Sequence, residues 1–287
     1  MKLLSRSVIA LAICIIAMQE VIDFAAAQAA ASIEVSPSSG HVGARVTVYG
    51  TGFTPGIEVD ISYCLGRTTD CDREVQDVDV GSDGEFTCRF YIPESCKGEH
   101  RVKADATYDY FTVEPKIELD PDEGPVGEEV EVTGTGFGEE EGDIEILFDG
   151  DVVKDGIEAD EYGSWEAEFI VPTSEKGKHD VGAEGEDTDD EDVDEVTFTV
   201  EPGISLSAVE GYVGDTVTVT GSGFGSRESG IKVTYDDDLV GSPTTADRDG
   251  TWKVSFEVPP SVKGDHEIDA YGSSTKGRNI ENRDFEV

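Results

Sequence analysis

The segment at residues 40–53, GHVGARVTVYGTGF, decides the fold because the chain repeats it twice more. The same pattern returns as GPVGEEVEVTGTGF at residues 124–137 and as GYVGDTVTVTGSGF at residues 211–224. A sequence that copies itself at an interval of roughly 85 residues is built from tandem structural units. The chain is therefore predicted to contain three copies of one module.

Each copy has the same internal design. A Gly-x-x-Gly turn leads into alternating valines, such as Val46 and Val48, and the run ends in a Gly-x-Gly-Phe corner. Alternation with a period of two is typical of a strand with one buried face. The glycines allow positive φ and close approach of the backbone, and the phenylalanine supplies a large apolar ring. We predict a strand that ends in a corner packed on the core.

Further alternating runs predict about seven short strands in each copy. One run starts at Phe86, and Trp165 and Trp252 hold the same position in the other copies, so we predict that these aromatic residues are core anchors. Residues 82–84 and 247–250, which precede two of these runs, are predicted hairpin turns. Because no helical periodicity accompanies the runs, the pattern predicts an all-β protein of tandem immunoglobulin-like sandwiches.

The N-terminus has the layout of a secretory signal peptide. Lys2 and Arg6 precede an apolar run at residues 8–18, and an alanine-rich tract follows. The run is shorter than the roughly 20 residues that span a bilayer as a helix. We therefore predict removal of this segment and no membrane span in the mature chain, with an uncleaved anchor as the competing interpretation.

Short proline-containing joins separate the copies at Pro115 and Pro202. Proline stiffens such a join, so the three units are expected to form a semi-rigid rod. The predicted boundaries are a signal peptide at 1–30, a disulfide-bearing repeat 1 at 31–114, repeat 2 at 115–201 and repeat 3 at 202–287.

The formal net charge is −43, and all of it falls beyond the predicted signal peptide. A field of this sign repels nucleic acid and anionic membranes and attracts cations. It predicts a strongly hydrated surface, with discrete calcium sites as the alternative.

Residues 184–195, EGEDTDDEDVDE, concentrate this charge. Without counter-ions such a segment is expected to be a mobile loop, and calcium could order it because hard cations take several carboxylate oxygens. The segment lacks the spacing and the glycine of an EF-hand loop. The calcium candidates are Asp187, Asp189, Asp190, Glu191 and Asp192.

Four cysteines, all in repeat 1, follow the predicted signal peptide. An even, clustered set in an exported chain predicts two disulfides, and the absence of a CxxC knuckle disfavours a zinc site. We predict the pairs Cys64–Cys71 and Cys88–Cys96, because each closes a short local loop. Since Cys88 has the inward parity of its strand, its partner would have to reach the edge of the core.

Three histidines, His100, His179 and His266, share a Lys-Gly-x-His setting, one in each repeat. Sites so far apart in the chain cannot converge on one metal, so a structural role at a strand start is predicted. No Ser, His and Asp residues recur in a spacing that suggests a nucleophile, and the chain is not predicted to be an enzyme. The aromatic candidates for a glycan surface are Tyr108, Tyr110, Tyr212 and Tyr271.

Taken together, these residues resemble the IPT/TIG domain, an immunoglobulin-like fold. The likeness lies in the Pro-x-x-Gly-x-x-Gly segment at Pro37, Gly40 and Gly43, in the Gly-x-Gly-Phe corner, and in the later Asp-Gly turn and Val-Pro strand end. It covers essentially the whole predicted mature chain. In this family, DNA-binding members carry basic loops, whereas extracellular members serve as stalks, adhesion modules or accessory domains beside carbohydrate-active enzymes. The acidic loops here fit the second group.

The sequence therefore predicts a secreted or cell-surface structural or adhesion protein, a rod or spacer with non-catalytic binding surfaces. Its expected partner is an extracellular protein or glycan, not nucleic acid, and its oligomeric state is left open. A carbohydrate-binding accessory protein is the first alternative. A calcium-dependent adhesion module is the second, and calcium is the one candidate cofactor.

Overall fold

The computed structural model describes residues 30–66, 71, 73–281 and 283–287. The predicted signal peptide, apart from its last residue, lies outside them. Within the described residues, no helix has the length and apolar character needed to cross a membrane. Regular structure there is β, apart from single-turn 3-10 helices at Asp190–Asp192 and Gly277–Asn279, so the all-β prediction is confirmed.

The strands recur in the same order in the three repeats. Repeat 1 contains β1 Ser32–Ser36, β2 Ser39–Gly40, β3 Arg45–Thr51, β4 Glu58–Cys64, β5 Arg73–Asp79, β6 Phe86–Tyr91, β7 Gly98–Ala104 and β8 Thr107–Val113. Repeat 2 contains β9 Lys116–Asp120, β10 Glu123–Pro125, β11 Glu129–Thr135, β12 Ile144–Phe148, β13 Asp151–Ile157, β14 Trp165–Ile170, β15 Gly177–Glu184 and β16 Val196–Glu201. Repeat 3 contains β17 Gly203–Leu206, β18 Thr216–Ser222, β19 Ile231–Tyr235, β20 Asp238–Thr244, β21 Trp252–Glu257, β22 Asp265–Tyr271 and β23 Arg283–Glu286.

Each repeat divides its strands between two sheets. One sheet has three strands, in the orders β1-β3-β6, β9-β11-β14 and β17-β18-β21. The other has the orders β2-β8-β7-β4-β5, β10-β16-β15-β12-β13 and β20-β19-β22-β23. In repeat 3 an isolated parallel bridge between Glu210 and Glu286 stands where β2 and β10 pair in the other repeats. The predicted immunoglobulin-like sandwich is confirmed.

The described residues form two compact units. Unit 1 contains the residues up to Ser38, Arg45–Phe90 and Arg101–Phe111, and unit 2 contains Ser39–Ala44, Tyr91–His100 and Thr112–Val287. Unit 2 therefore holds repeats 2 and 3 together with a loop and a turn of repeat 1.

The core of each repeat comes from the alternation visible in the sequence. In β11, Val130 and Val132 are fully buried and meet Ile144 and Ile146 of the opposite sheet in one apolar cluster. Repeat 3 builds the equivalent cluster from β18 and β19. Burial of aliphatic side chains contributes about 1.5–3 kcal/mol each, so this strand period provides much of the driving force for folding.

The first glycine of each Gly-x-Gly-Phe corner lies under an aromatic ring. Gly134 pairs with Trp165 across the sheet, and Gly221 pairs with Trp252 in the same register. A Cβ atom on either glycine would lie closer than 3.0 Å to the indole ring. The predicted close approach and the predicted core role of both tryptophans are confirmed, since each indole is at most 5% exposed.

The Asp-Gly turns do not form hairpins, which corrects the prediction for residues 82–84 and 247–250. The strands flanking each turn belong to different sheets. Gly84 has a φ of +80°, and its carbonyl accepts the Phe53 N–H at 3.1 Å. Gly163 and Gly250 accept the N–H groups of Phe137 and Phe224 at 3.0 and 3.2 Å. Each turn docks on its own corner and carries the chain from one sheet to the other.

We expect Gly134→Ala to destabilise the protein by about 1–3 kcal/mol or more, because the new methyl group has no room under Trp165. Urea unfolding followed by tryptophan fluorescence measures the change. Gly182→Ala is the matched control, since the strand β15 leaves only Glu195 Cγ at 3.8 Å from its added Cβ. Equal unfolding midpoints for the two variants would contradict the close-packing explanation.

Candidate functional site

A loop of identical design precedes β7, β15 and β22. It has the pattern Pro-x-Ser-x-Lys-Gly-x-His and is named here the Lys-Gly-x-His loop. The serine hydroxyl donates to the proline carbonyl, and the histidine Nε2 bonds the carbonyl four residues earlier. The serine bonds are Ser95 to Pro93 and Ser174 to Pro172, both 2.9 Å, and Ser261 to Pro259, 3.0 Å. The histidine bonds are His100 to Cys96, 2.7 Å, and His179 to Glu175 and His266 to Val262, both 2.8 Å.

In repeats 2 and 3 a carboxylate holds the other histidine nitrogen. The Nδ1 of His179 lies 2.7 Å from Asp149 Oδ2, and that of His266 lies 2.6 Å from Asp236 Oδ2. The hydrogen bond to Asp236 and the Val262 carbonyl raise the pKa of His266 against the opposing effect of burial. The predicted structural role of these histidines is confirmed.

A buried glutamate lies beside the corner in repeats 2 and 3. Both oxygens of Glu141 accept hydrogen bonds, from the N–H groups of Gly138, Asp187 and Thr188 and from the Thr188 hydroxyl, at 2.6–2.8 Å. Glu228 repeats this with Gly225, Ser274 and Thr275, at 2.6–2.9 Å. The carboxylate fastens the corner to the loop before the last strand. We name each arrangement a glutamate socket.

In both sockets, hydrogen bonding lowers the pKa of the glutamate by more than burial raises it. Burial alone would raise the pKa of Glu228, but the bonds from Thr275, Gly225 and Ser274 lower it to about 2. The pKa of Glu141 is also lowered, since the bonds from Gly138, Thr188 and Asp187 and the charge of Lys97 together exceed the effect of burial. Both glutamates are therefore ionised at neutral pH.

Two of the three Lys-Gly-x-His loops are seated on a corner of the following repeat, within unit 2. Lys97 N–H donates to the Phe137 carbonyl at 2.9 Å, and Lys176 N–H donates to the Phe224 carbonyl at 3.0 Å. The Lys176 ammonium also enters the socket of repeat 3, 2.8 Å from Thr275 Oγ1 and 3.5 Å from Glu228 Oε2.

One side chain differs between the two joints. At the position before the lysine, Glu175 Oε2 accepts the Ser226 N–H at 2.9 Å. Repeat 1 has Cys96 at this position, and its thiol donates to the Glu161 carbonyl at 3.4 Å. Each joint thus combines one constant backbone bond with one variable side-chain contact.

The acidic segment at residues 184–195 is fixed by the protein. Thr188 is buried in the Glu141 socket, Gly185 N–H donates to the Thr188 carbonyl, and Val193 is buried after the 3-10 turn. Repeat 3 folds the corresponding loop in the same way, with Thr275 and Ile280 buried, although Lys276 and Arg278 make that loop basic. The loop path therefore depends on the socket and on buried apolar side chains, so counter-ions are not needed to explain it.

The candidate ligands Asp187, Asp189, Asp190, Glu191 and Asp192 do not converge on a point. Among the described residues, no group of three or more His, Cys, Asp or Glu side chains is placed to hold a metal ion. The calcium hypothesis stays a prediction.

The predicted bridge Cys64–Cys71 is present in unit 1, at the end of β4. The second predicted bridge is wrong, because Cys88 and Cys96 are free thiols. Cys88 is buried with the inward face of β6, and the Cys96 thiol is turned toward Glu161. Burial raises the pKa of both thiols, and the charge of Glu139 adds to the effect at Cys96.

Two of the four candidate tyrosines lie together on the outer face of unit 1. Tyr108 and Tyr110 alternate along β8 with ring centroids 5.5 Å apart. The Arg101 guanidinium of β7 lies 4.2 Å from the Tyr108 ring centroid and 5.9 Å from that of Tyr110. The other two are separate, since Tyr212 lies in the turn before β18 and Tyr271 ends β22 beside Lys232.

The glutamate sockets were not predicted from the sequence. The sequence marks them only by a Gly-Phe-Gly-x-x-Glu motif that occurs twice and ends at Glu141 and at Glu228. Repeat 1 has Ile57 at the position of these two glutamates. The chain has so many acidic residues that only their position in the repeat separates Glu141 and Glu228 from the others.

The IPT/TIG domain model matches residues 117–200 and 204–282, which together make up more than half of the chain. The chain belongs to the IPT/TIG family. Repeat 1 has the same strand order, although the match covers only repeats 2 and 3. No curated protein sequence matches the chain.

Solved structures resemble the IPT/TIG chain only at low similarity. SGBP-B of the Bacteroides ovatus mixed-linkage glucan utilization locus, solved with a mixed-linkage heptasaccharide, is 13% identical with a TM-score of 0.31, over 87% of this chain and 65% of its own. Invasin, a bacterial integrin-binding protein, is 13% identical with a TM-score of 0.24, over 90% and 60%. The D0-D1 domain of intimin is 10% identical with a TM-score of 0.23, over 90% and 97%. The chain spans less than two thirds of the first two structures.

We expect Glu228→Gln to destabilise the third IPT/TIG repeat by about 2–3 kcal/mol at pH 7, because an amide group would face backbone donors. The lowered pKa of Glu228, about 2 against an ordinary 4.5, means that the ionised carboxylate contributes fully above pH 4.5. The contribution disappears as the pH falls toward about 2, so the difference between wild type and variant narrows with acidification. Urea unfolding from pH 7 to 3 measures it, and the exposed Glu257→Gln is the control. A constant difference across this range would contradict the role of the charge.

We expect calcium and magnesium at equal ionic strength to raise the melting temperature of the IPT/TIG chain alike. Both ions screen the repulsion within a chain of net charge −43. The comparison is a set of melting curves in sodium, magnesium and calcium chloride, repeated after Asp187, Asp189, Asp190 and Asp192 are changed to Asn. A gain specific to calcium that disappears in this variant would instead establish a calcium site, since irregular carboxylate clusters suit calcium better than magnesium.

Proposed function

We propose that this protein is a non-catalytic spacer of the secreted or cell-surface class, whose repeats carry binding surfaces for an extracellular protein or glycan. The proposal follows from the family, from the predicted signal peptide and from the acidic surface. A spacer must hold successive domains in a defined arrangement, because a free hinge would not fix the position of what it presents.

The observation that carries the proposal is the joint between repeats 2 and 3. The chain leaves β16 at Glu201 and enters β17 at Gly203, so only Pro202 separates the two repeats. The seated loop adds the Lys176 N–H bond to Phe224 and an ammonium that reaches the buried Glu228. Charged hydrogen bonds in a partly desolvated site contribute about 1.5–3 kcal/mol each, which favours a fixed joint over a hinge.

A second function, glycan binding, is favoured by the outer face of unit 1. Tyr108 is 49% exposed, and Arg101 presents its guanidinium beside the two tyrosine rings. Aromatic faces pack on the apolar face of a sugar ring, while guanidinium groups donate to hydroxyl or carboxylate oxygens. The pairing of these groups on one sheet face supports an oligosaccharide as the ligand.

We expect Lys176→Ala to speed hydrogen exchange about tenfold or more at Ser274 and Thr275 and at residue 176 itself, because the joint loses its ammonium. Hydrogen–deuterium exchange mass spectrometry of the full chain measures this. Lys178→Ala, an exposed lysine of the same loop and strand, is the matched control and is expected to exchange like wild type. Unchanged exchange in Lys176→Ala would contradict a fixed joint.

A glycan array followed by calorimetry tests the second function. We expect Tyr108→Ala to weaken binding of the array-selected oligosaccharide about tenfold, in line with loss of an aromatic contact. Tyr49→Ala is the control, because Tyr49 is 44% exposed on the other sheet of unit 1. An array without binders, or equal losses in the two variants, would remove the glycan function and leave the spacer proposal standing.

A further inference from the structure

Unit 1 has an outer face made of two cations and two aromatic rings. Arg101 and Lys103 lie on β7 on either side of the fully buried Val102, so both side chains point outward. Tyr108 and Tyr110 alternate in the same way along the neighbouring strand β8. Arg101, Lys103, Tyr108 and Tyr110 are named here the cation–tyrosine face.

The two cations of this face are not used in ion pairs. The chain has 64 acidic residues against 21 basic ones, so most cations have carboxylates to choose from. In the described part of the chain, however, neither Arg101 nor Lys103 forms an ion pair with a carboxylate. Their positive charge is therefore available to an anion from outside the chain.

The Arg101 guanidinium is held by the tyrosine rings. Its Cζ lies 4.2 Å from the Tyr108 ring centroid and 5.9 Å from that of Tyr110, and its Nη2 donates to the Tyr110 hydroxyl at 3.5 Å. Its Nε–H is buried and has no hydrogen-bond partner. A buried donor without a partner is destabilising, so an arginine held in this way calls for a reason other than stability.

The cation–tyrosine face belongs to repeat 1 alone. Repeats 2 and 3 have acidic or small polar residues at the same places: the position of Arg101 holds Asp180 or Glu267, and that of Tyr110 holds Thr197 or Asp284. The same pair of strands thus folds with the opposite charge at the Arg101 position. The fold does not require a cation or an aromatic ring there, and these residues serve something particular to repeat 1.

The disulfide-bearing loop, also particular to repeat 1, holds the backbone beneath this face. The Arg101 N–H donates to the Gly66 carbonyl at 3.1 Å, and Arg101 pairs in register with Cys64 of β4. The bridge from Cys64 to Cys71 closes the loop that contains Gly66. A crosslink at this point restricts β7 where it carries the guanidinium, which pre-organises the face for a ligand.

The carboxylates of the same sheet gather on β4 and β5, on the side of β7 opposite to β8. Asp60 pairs in register with Asp77, and the hydrogen bond between them raises the pKa of Asp77, with the charge of Glu74 adding to the effect. An anionic ligand is therefore repelled at β5 and attracted at β7. This gradient directs its negative group toward the two cations.

We propose that the cation–tyrosine face binds an oligosaccharide that contains uronic acid residues. The rings of Tyr108 and Tyr110 pack on the apolar face of a sugar, and the planar guanidinium of Arg101 donates to the planar carboxylate. The ammonium of Lys103 supplies a second charged donor. This ligand class rests on the glycan function proposed above and narrows it, because a neutral sugar would leave both cations without a counter-charge.

Calorimetry of the full chain with matched oligosaccharides tests the ligand class. The probes are short oligomers of galacturonate, glucuronate and mannuronate, each beside its carboxyl-reduced neutral form, and a sulfated galactose oligomer. We expect an oligouronate to bind about tenfold more tightly than its neutral form, because only the former has the carboxylate. The net charge of −43 repels anions, so general electrostatics would give the opposite order.

Two variants and a control locate the contact. We expect Arg101→Gln to remove the preference for the uronate while weak binding of the neutral form persists, and Lys103→Gln to reduce the preference in part. Arg89→Gln is the matched control, because it removes the same charge from an exposed position on β6, in the other sheet of unit 1. It is expected to bind like wild type. Melting curves establish that all three variants are folded.

The outcomes separate this proposal from the glycan function itself. Equal affinity for the uronate and neutral forms would overturn the uronate proposal and leave the glycan function standing. Tighter binding of the sulfated oligomer than of every oligouronate would also overturn it, and so would an equal loss of preference in Arg89→Gln and Arg101→Gln. A chain that binds none of the oligosaccharides would remove the glycan function together with its ligand class.

Discussion

The fold depends on the bond from a corner phenylalanine N–H to the carbonyl of a turn glycine, which is Gly84, Gly163 or Gly250. This bond occurs at Phe53, Phe137 and Phe224 with lengths of 3.0–3.2 Å. It fixes the point where the chain crosses between sheets, and a glycine is needed there because a Cβ would lie closer than 3.0 Å to the phenylalanine carbonyl oxygen. The ring of the same phenylalanine packs on the core aromatic residue, as Phe137 does on Trp165. One short motif therefore specifies both the sheet crossing and the core.

The sequence predicted the features that follow from local period and steric demand. The alternating strands, the corner glycines and the core position of Trp165 depend on neighbours a few residues away, so the pattern was sufficient. The Asp-Gly turns were misread as hairpins because a tight turn has the same residues whether the chain stays in its sheet or leaves it. The inward parity of Cys88 was visible in the sequence, but the pairing failed because spacing does not report that the Cys96 thiol turns toward the Glu161 carbonyl.

In a strongly acidic sequence, the buried glutamates of the two sockets cannot be told apart from the exposed acidic residues. Glu141 and Glu228 differ from their many acidic neighbours only in that the fold surrounds them with donors from two segments more than forty residues apart. Their low pKa values are properties of the tertiary structure. In contrast, residues 184–195 are conspicuous in the sequence because of their negative charge. Their backbone nevertheless follows the same path as the corresponding basic loop of repeat 3.

The joint between repeats uses the backbone for its constant bond, from the lysine N–H to the phenylalanine carbonyl. A bond between main-chain atoms is inherited by any duplicated copy that keeps the same turn and corner, whatever its surface residues become. Duplication of such a module therefore yields a working connection at once, and a single side chain at the position of Cys96 and Glu175 then distinguishes one joint from the other. Repeat number and repeat order can thus evolve separately.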